Sequence, residues 1–154
     1  MSIGRLDQDS EGLLLLTTDG KVSARVRSKT VEKEYYVQVD GDITPAAIQQ
    51  LREGVTIYTR SKGYTTLPGE ARRLDPAPIF PPRAKKTRAG RHRPSSWLSI
   101  TLTEGKFRQV RKMTAAVGFP TLRLIRVRIG GITLGALPPG HVREVEDLRS
   151  ATDE

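Results

Sequence analysis

The cleanest alternation of apolar and polar positions lies at residues 97–103. Leu98, Ile100 and Leu102 share one face of an extended chain, and Ser99, Thr101 and Thr103 share the other. That pattern predicts a half-buried strand. Residues 34–40 (Glu-Tyr-Tyr-Val-Gln-Val-Asp) are aromatic and β-branched and stop at Gly41, so they read as a second strand. Residues 12–18 carry four consecutive leucines and read as a buried strand closed by the turn pair Asp19-Gly20. Shorter strands are expected over 55–59 and 69–74, and a last one over 142–146. Residues 121–134 are strand-rich and broken at Gly130-Gly131. Thr44-Pro45 reads as a helix N-cap followed by proline at the first helical position, with the helix running to Glu53 and ended by Gly54. A helix is expected over 107–117, ended by Gly118 and Pro120, and a short one over 21–28. No internal repeat is present. Strands and helices interleave irregularly through short connections, which predicts an α+β fold with a mixed, mostly antiparallel sheet. The 154 residues fit one domain spanning 1–154.

One stretch breaks this rhythm. Residues 75–96 hold five prolines and six Lys/Arg with little apolar content, which predicts a basic loop or extended excursion. It belongs to a wider charge asymmetry. The chain has 26 Lys/Arg against 17 acids, a formal charge of +9. Half of the basic residues, thirteen, lie in 83–128 with a single acid, Glu104. A basic segment of this kind points to a polyanionic partner, above all nucleic acid. The plainer reading is a solvated basic surface. Other classes drop out. The longest apolar run, Leu13 to Leu16, is too short for a transmembrane helix. Residues 1–10 have no apolar core of a signal peptide, so a cytoplasmic location is expected. The absence of cysteine excludes disulfides and thiolate chemistry, and the wide separation of His92 and His141 argues against zinc.

Four constellations carry chemical possibilities. Asp7 and Asp9 precede the leucine-rich strand, and a carboxylate on a loop braced by a strand suits catalysis. A turn of Asp and Ser leading into a strand is the ordinary alternative. In Lys33-Glu34-Tyr35, strand geometry puts Tyr35 on the face of Val37 and Val39. There it can stack on a base, present its hydroxyl in a shielded site, or fill the core. On a helical wheel from Phe107, Val110, Met113, Thr114, Ala116 and Val117 form the apolar stripe. Arg111 falls at the edge of that stripe, placed to meet a carboxylate or to snorkel, while Arg108 and Lys112 point to solvent or phosphate. Finally, Arg123, Arg126 and Arg128 leave neither face of their strand clean, which predicts a bulge near Leu124–Ile125.

Taken in order, these segments resemble a known family. Gly4-Arg5-Leu6-Asp7 with Ser10-Glu11-Gly12-Leu13-Leu14, then Lys33-Glu34-Tyr35, then Glu104-Gly105-Lys106 with Arg108-Gln109-Val110-Arg111-Lys112-Met113, then Leu124-Ile125-Arg126 with Ile129-Gly130, are similar to the motifs of RNA pseudouridine synthases of the RsuA/RluB/RluE/RluF branch. The resemblance covers residues 4–146. It implies the pseudouridine synthase fold, with an active cleft across a mixed sheet. It implies site-specific isomerisation of uridine to pseudouridine in large-subunit (23S) ribosomal RNA, without cofactor or metal. By matched position, Asp7 would be the catalytic aspartate, Tyr35 would contact the flipped uracil, Arg111 would pair with Asp7, and Leu124 would line the uracil pocket. Arg5, Arg108, Lys112 and Arg126 would contact substrate, and Arg83, Lys85, Lys86, Arg88, Arg91 and Arg93 would hold RNA phosphates. Family members carry an earlier strand and a Lys-Pro motif, and many add a small N-terminal RNA-binding domain; neither is expected here. A monomer is the default expectation. The competing reading is a non-catalytic RNA-binding or ribosome-assembly module. A glycoside hydrolase using Asp7 and Asp9 is disfavoured, because neighbouring carboxylates on one loop cannot straddle a sugar.

Overall fold

The structure is a computed structural model that describes residues 2, 3, 6–16, 31–82, 94–106, 108–135, 137 and 142. In chain order the elements are β1 (Ser2–Ile3), β2 (Glu11–Gly12), β3 (Leu15–Leu16), β4 (Lys33–Asp40), α1 (Pro45–Glu53), β5 (Thr56–Thr59), β6 (Lys62–Thr65), β7 (Glu70–Leu74), β8 (Ser95–Leu102), α2 (Gln109–Ala116), β9 (Thr121–Ile129) and β10 (Ile132–Thr133). The principal sheet runs β10-β9-β4-β8-β7, with β2 also pairing with β9. Every pairing in it is antiparallel except the parallel β2–β9 pair. The architecture is therefore α+β with a mixed, mostly antiparallel sheet.

One sheet face carries both helices. Val37 and Val39 of β4, Leu98 and Ile100 of β8 and Leu124 of β9 pack with Ile48 and Leu51 of α1 and Val110 and Met113 of α2. Each fully buried aliphatic side chain contributes roughly 1.5–3 kcal/mol, so this cluster is the main source of stability. Helix α1 begins as its sequence predicts. The Thr44 hydroxyl accepts from the Ala47 N–H at 3.2 Å, and Gly54 ends the helix at φ +106°.

The opposite face is covered as well. Phe80 sits between Tyr36 and Trp97, with ring centroids 6.2 and 5.7 Å away. Ser99 is buried and donates to Glu34 at 2.6 Å. Strand β8 is thus buried on both faces rather than half-buried, because a polar layer with internal partners replaces solvent.

Four other expectations change. The strand over 12–18 is two short pieces, β2 and β3, separated at Leu13–Leu14. Gly12 sits at φ +106°, and the Leu13 N–H turns to the Arg126 carbonyl at 2.8 Å. Strand β6 was not expected. It pairs with β5 through a two-residue turn, Arg60–Ser61, in which both residues have positive φ (50° and 64°). The pairing of β4 with β9 shifts register between Glu34 and Tyr35 and between Gln38 and Val39, so the extra residues on β9 are Val127 and Leu122. The bulges therefore flank Leu124–Ile125 instead of interrupting it. One extra residue at Val127 separates Arg126, which lies with Leu124, from Arg128, which pairs with Glu34 on the other face. The helix expected from 107 starts at Gln109. The expected helix over 21–28 lies outside the described residues, as does the last strand over 142–146 apart from Val142.

Candidate active site

The Asp7 turn is held from both sides. Its backbone closes when the Ser10 N–H donates to the Asp7 carbonyl at 2.9 Å. The chain then enters β2, where Glu11 faces Ile125 and Gly12 faces Arg126. The Arg126 carbonyl accepts from the Leu13 N–H at 2.8 Å, and the Arg126 Nε donates to the Leu13 carbonyl at 2.8 Å. A Cβ on Gly12 would lie 2.2 Å from the Arg126 carbonyl oxygen, so only glycine admits this approach. The loop is locked to β9 immediately after its carboxylates.

From the other side comes the start of α2. Arg108 caps it in the left-handed region, φ 51° and ψ 36°, with no side-chain capping bond of its own. Its guanidinium instead reaches the turn. Nη1 and Nη2 donate to the two Asp9 carboxylate oxygens at 3.0 and 2.9 Å, and Nη1 lies 3.6 Å from Asp7 Oδ2. One helical turn on, Arg111 Nη2 donates to the Asp9 carbonyl at 2.9 Å and to the Ser10 hydroxyl at 3.1 Å. It also lies 3.6 Å from Asp9 Oδ1. The expected pairing of Arg111 with Asp7 is therefore replaced. Among the described residues the guanidinium within 4 Å of Asp7 belongs to Arg108, and Arg111 fixes the turn around Asp9. The hydrogen bonds from Arg108 hold the Asp9 carboxyl down at about 2, and the same bonds raise the Arg108 guanidinium above its usual range. The Asp7 side chain is the more sheltered carboxylate, 21% exposed against 43% for Asp9.

The loop leading into α2 has its own anchor. Glu104 is buried and accepts from the Tyr64 hydroxyl of β6 and from the Leu67 N–H at 2.8 Å. That carboxylate pushes the Tyr64 hydroxyl up in pKa. Lys106 lies over the Tyr64 ring at 4.7 Å, and its N–H donates to the Gln109 side chain at 3.0 Å. The unforeseen hairpin β5–β6 thus fixes the segment that delivers Arg108.

The other expected site residues divide. Gly12, Arg126, Tyr35 and Ile100 form one row across β2, β9, β4 and β8. Tyr35 is half-buried against the main cluster, and Leu124, opposite Val37, is buried within it. Arg126 is buried; its Nη2 has no hydrogen-bond partner. Lys33 lies near it, and burial, reinforced by the Arg126 charge, brings the Lys33 ammonium down to about 8. Lys112 is half-buried on α2. Arg5, Arg83, Lys85, Lys86, Arg88, Arg91 and Arg93 lie outside the described residues. Ser10 and Gly12 organise the site although the residue pattern assigned them no role, and Asp9, read beside Asp7 as a candidate loop carboxylate, is the acceptor of the Arg108 fork. Their signal was proximity to Asp7, which does not distinguish support from chemistry.

Among the described residues, no group of three or more His, Cys, Asp or Glu is arranged to hold a metal ion, and no helix is long and apolar enough to cross a membrane. The arrangement offers a sheltered carboxylate on a braced loop, a guanidinium beside it, and an aromatic hydroxyl and a buried arginine along the adjoining sheet row.

Comparison with known proteins gives this arrangement a family. The family model described as RNA pseudouridylate synthase matches residues 1–116. A Xanthomonas campestris pv. campestris protein named ribosomal large subunit pseudouridine synthase E is 46% identical over 149 residues, covering 96% of this chain and 77% of that protein. A Vibrio parahaemolyticus protein of the same name is 46% identical over 146 residues, covering 93% of this chain and 59% of that protein. The chain thus spans less than two thirds of the Vibrio relative's length. A Yersinia pestis ribosomal large subunit pseudouridine synthase B is 36% identical over 149 residues, covering 95% and 41% of the two chains. A solved crystal structure of a pseudouridylate synthase matches with a TM-score of 0.68 at 28% identity, over 89% of this chain and 51% of that one. The Asp7 turn, β4 and the start of α2 all fall within the matched residues, and the chain belongs to the RNA pseudouridylate synthase family.

Proposed function

We propose that this protein isomerises specific uridines to pseudouridine in large-subunit (23S) ribosomal RNA, with Asp7 as the group that acts on the ribose. The observation that carries this reading is the sheltered Asp7 carboxylate beside Arg108 on a loop locked to β9. The 46% identity to synthase E relatives supports the choice of RNA. The reaction breaks the N1–C1′ bond, turns the uracil and joins C5 to C1′; one proton leaves C5 and one is gained at N1. Atoms and electrons balance without an external reagent, and we propose no cofactor or metal. Asp7 either attacks C1′ as a nucleophile or removes the C2′ proton to give a glycal. The base must leave the RNA stack to reach it. Tyr35 and Leu124 offer the flipped uracil an aromatic ring and an apolar wall. The buried Arg126 Nη2 is a donor available to its carbonyl oxygens. Arg111 acts through the turn, Arg108 places its charge beside Asp7 where the substrate enters, Arg5 and Lys112 contact the substrate, and the basic residues Arg83, Lys85, Lys86, Arg88, Arg91 and Arg93 hold the RNA backbone. The enzyme works as a cytoplasmic monomer.

Pseudouridine mapping tests this reading. Unmodified large-subunit ribosomal RNA is treated with the protein, with Asp7→Asn, or with buffer. A single new pseudouridine is expected with the native protein. Asp7→Asn should lower its rate at least about 10³-fold, the scale of a lost positioned catalytic group, while RNA affinity persists. Turnover retained by Asp7→Asn defeats the assignment of Asp7. RNA binding without any new pseudouridine favours the non-catalytic module.

A further inference from the structure

Asp9 takes no part in the chemistry just described, yet it holds the firmest ionic contact in the site. Both Nη atoms of Arg108 donate to its two oxygens, at 3.0 and 2.9 Å. Such a fork is the strong form of an arginine–carboxylate pair. Asp7 meets the same guanidinium only at 3.6 Å, beyond hydrogen-bond length. Asp9 is itself immobilised, because Arg111 holds its carbonyl and the adjacent Ser10 hydroxyl. The charged groups that reach this turn from described residues are Arg108 and Arg111 of α2 and the two aspartates. The arrangement places two carboxylates two residues apart and lets one of them take the fork.

The chemical consequence follows from what a reacting carboxylate needs. Whether Asp7 attacks carbon or removes a proton, it uses an oxygen lone pair. A guanidinium closed on both Asp7 oxygens would take a lone pair on each and stabilise the reactant more than the transition state. At 3.6 Å the positive charge still faces Asp7, and among the described residues no guanidinium hydrogen bond falls on its oxygens. We propose that Asp9 is a positioning residue for Asp7: it takes the Arg108 fork and so keeps the guanidinium beside the reacting carboxylate but off its oxygens. This rests on the reading of Asp7 as the reacting group.

Two measurements test the inference. The first needs no turnover. In arginine-¹⁵N-labelled protein, a guanidinium held in a fork rotates slowly and shows resolved Nη resonances. The Arg108 signature should survive Asp7→Asn, because Asp9 holds the fork. It should also survive Asp9→Asn, because the fork then closes on Asp7. It should vanish only in the double variant Asp7→Asn/Asp9→Asn. Loss of the signature in either single variant overturns the inference.

The second is single-turnover pseudouridine formation from about pH 5 to about pH 9, with RNA affinity measured alongside. Asp9→Asn should slow the step about 10–100-fold with RNA affinity unchanged within about threefold, the cost of a misplaced charge at a reacting group. Asp9→Glu, which can still accept the fork, should recover most of the rate. A native rate in Asp9→Asn overturns the inference. If the native protein modifies no RNA, the functional reading fails, while the guanidinium signatures still decide where the fork sits.

Discussion

Two arginine–carboxylate clusters among the described residues, one at the Asp7 turn and one on the sheet face away from the helices, are built differently. On the sheet face away from the helices, Arg123 and Arg128 are each held by several acceptors. Arg123 gives a fork to Glu11 at 2.8 and 2.8 Å and donates again to the Pro81 carbonyl at 2.6 Å. Arg128 serves Glu34, Glu32 and the Gly130 carbonyl. At the Asp7 turn one guanidinium serves two carboxylates, and only Asp9 receives hydrogen bonds from it. The same residue types give a fastener in one place and, in the other, the carboxylate we propose as the reacting group. The difference lies in how many donors each carboxylate is given, because a carboxylate supplied with all its donors has no lone pair left for substrate.

Removing one arginine from each cluster is the sharpest way to break this comparison. Arg108→Ala should lower turnover about 10²–10³-fold, the scale of losing a preorganised charge at the reacting centre, with a small change in melting temperature. Arg123→Ala should do the reverse. It removes the fork from Glu11 and should cost about 2 kcal/mol in urea unfolding, the scale of hydrogen bonds to a charged group. Equal effects of the two variants on turnover would erase the distinction.

The seam between the clusters gives the next largest effect. Gly12 follows the Asp7 turn directly and touches the Arg126 backbone, where an added Cβ would sit 2.2 Å from the carbonyl oxygen. Gly12→Ala should destabilise by at least about 3 kcal/mol, since strain at φ +106° adds to a backbone collision. Gly118→Ala is the control. It has φ +91° with nothing within 4 Å of the added atom, and should cost only about 1–2 kcal/mol of backbone strain. A comparable loss in both variants would show that the seam is not tightly packed.

The smallest effect is a pH slope. Burial lowers Lys33 from its ordinary 10.5 to about 8, so between these values the unfolded chain binds more protons than the folded one. Stability should therefore rise as pH climbs from about 8 to about 10.5, and Lys33→Met should flatten that rise. Asp9 runs the other way. Its carboxyl is lowered from 3.8 to about 2, so its contribution is present above 3.8 and lost as pH falls to about 2. Urea midpoints measured across both windows check the two signs.

What the residue pattern conveyed depended on whether the signal was local. Helix α1 was legible because its start and stop are written in adjacent residues, Thr44-Pro45 and Gly54. Strands β4 and β8 were legible by alternation, although polar Ser99 and Thr101 are buried because Glu34 and the covering segment replace water. The hairpin β5–β6 escaped because Arg60 and Ser61 adopt a turn normally marked by Asn-Gly. Within the site, Asp7 was legible as a loop carboxylate ahead of an apolar strand. Its partner was misjudged because the helical wheel was extended back to Phe107, whereas α2 begins at Gln109. Arg108 therefore lies before the helix in a left-handed conformation, where the 100° step does not apply. The bulges at Val127 and Leu122 were misplaced because register belongs to the pair of strands and not to β9 alone.

The parallel pairing of β2 with β9 also sets when this protein acquires its site. Gly12 and Arg126 meet across more than a hundred residues of intervening chain, and the Asp7 turn is tied to the sheet only at that meeting. Closing so long a loop must precede the contacts that repay it. On the ribosome, a chain that has not yet released β9 from the exit tunnel holds its aspartates on a loop not yet tied to the sheet. Such a nascent chain should give no signal in pseudouridine mapping even with α1 formed, and neither should a fragment that ends before Arg126. Bracing of the Asp7 turn against the sheet therefore waits for β9, which follows it more than a hundred residues further along the chain.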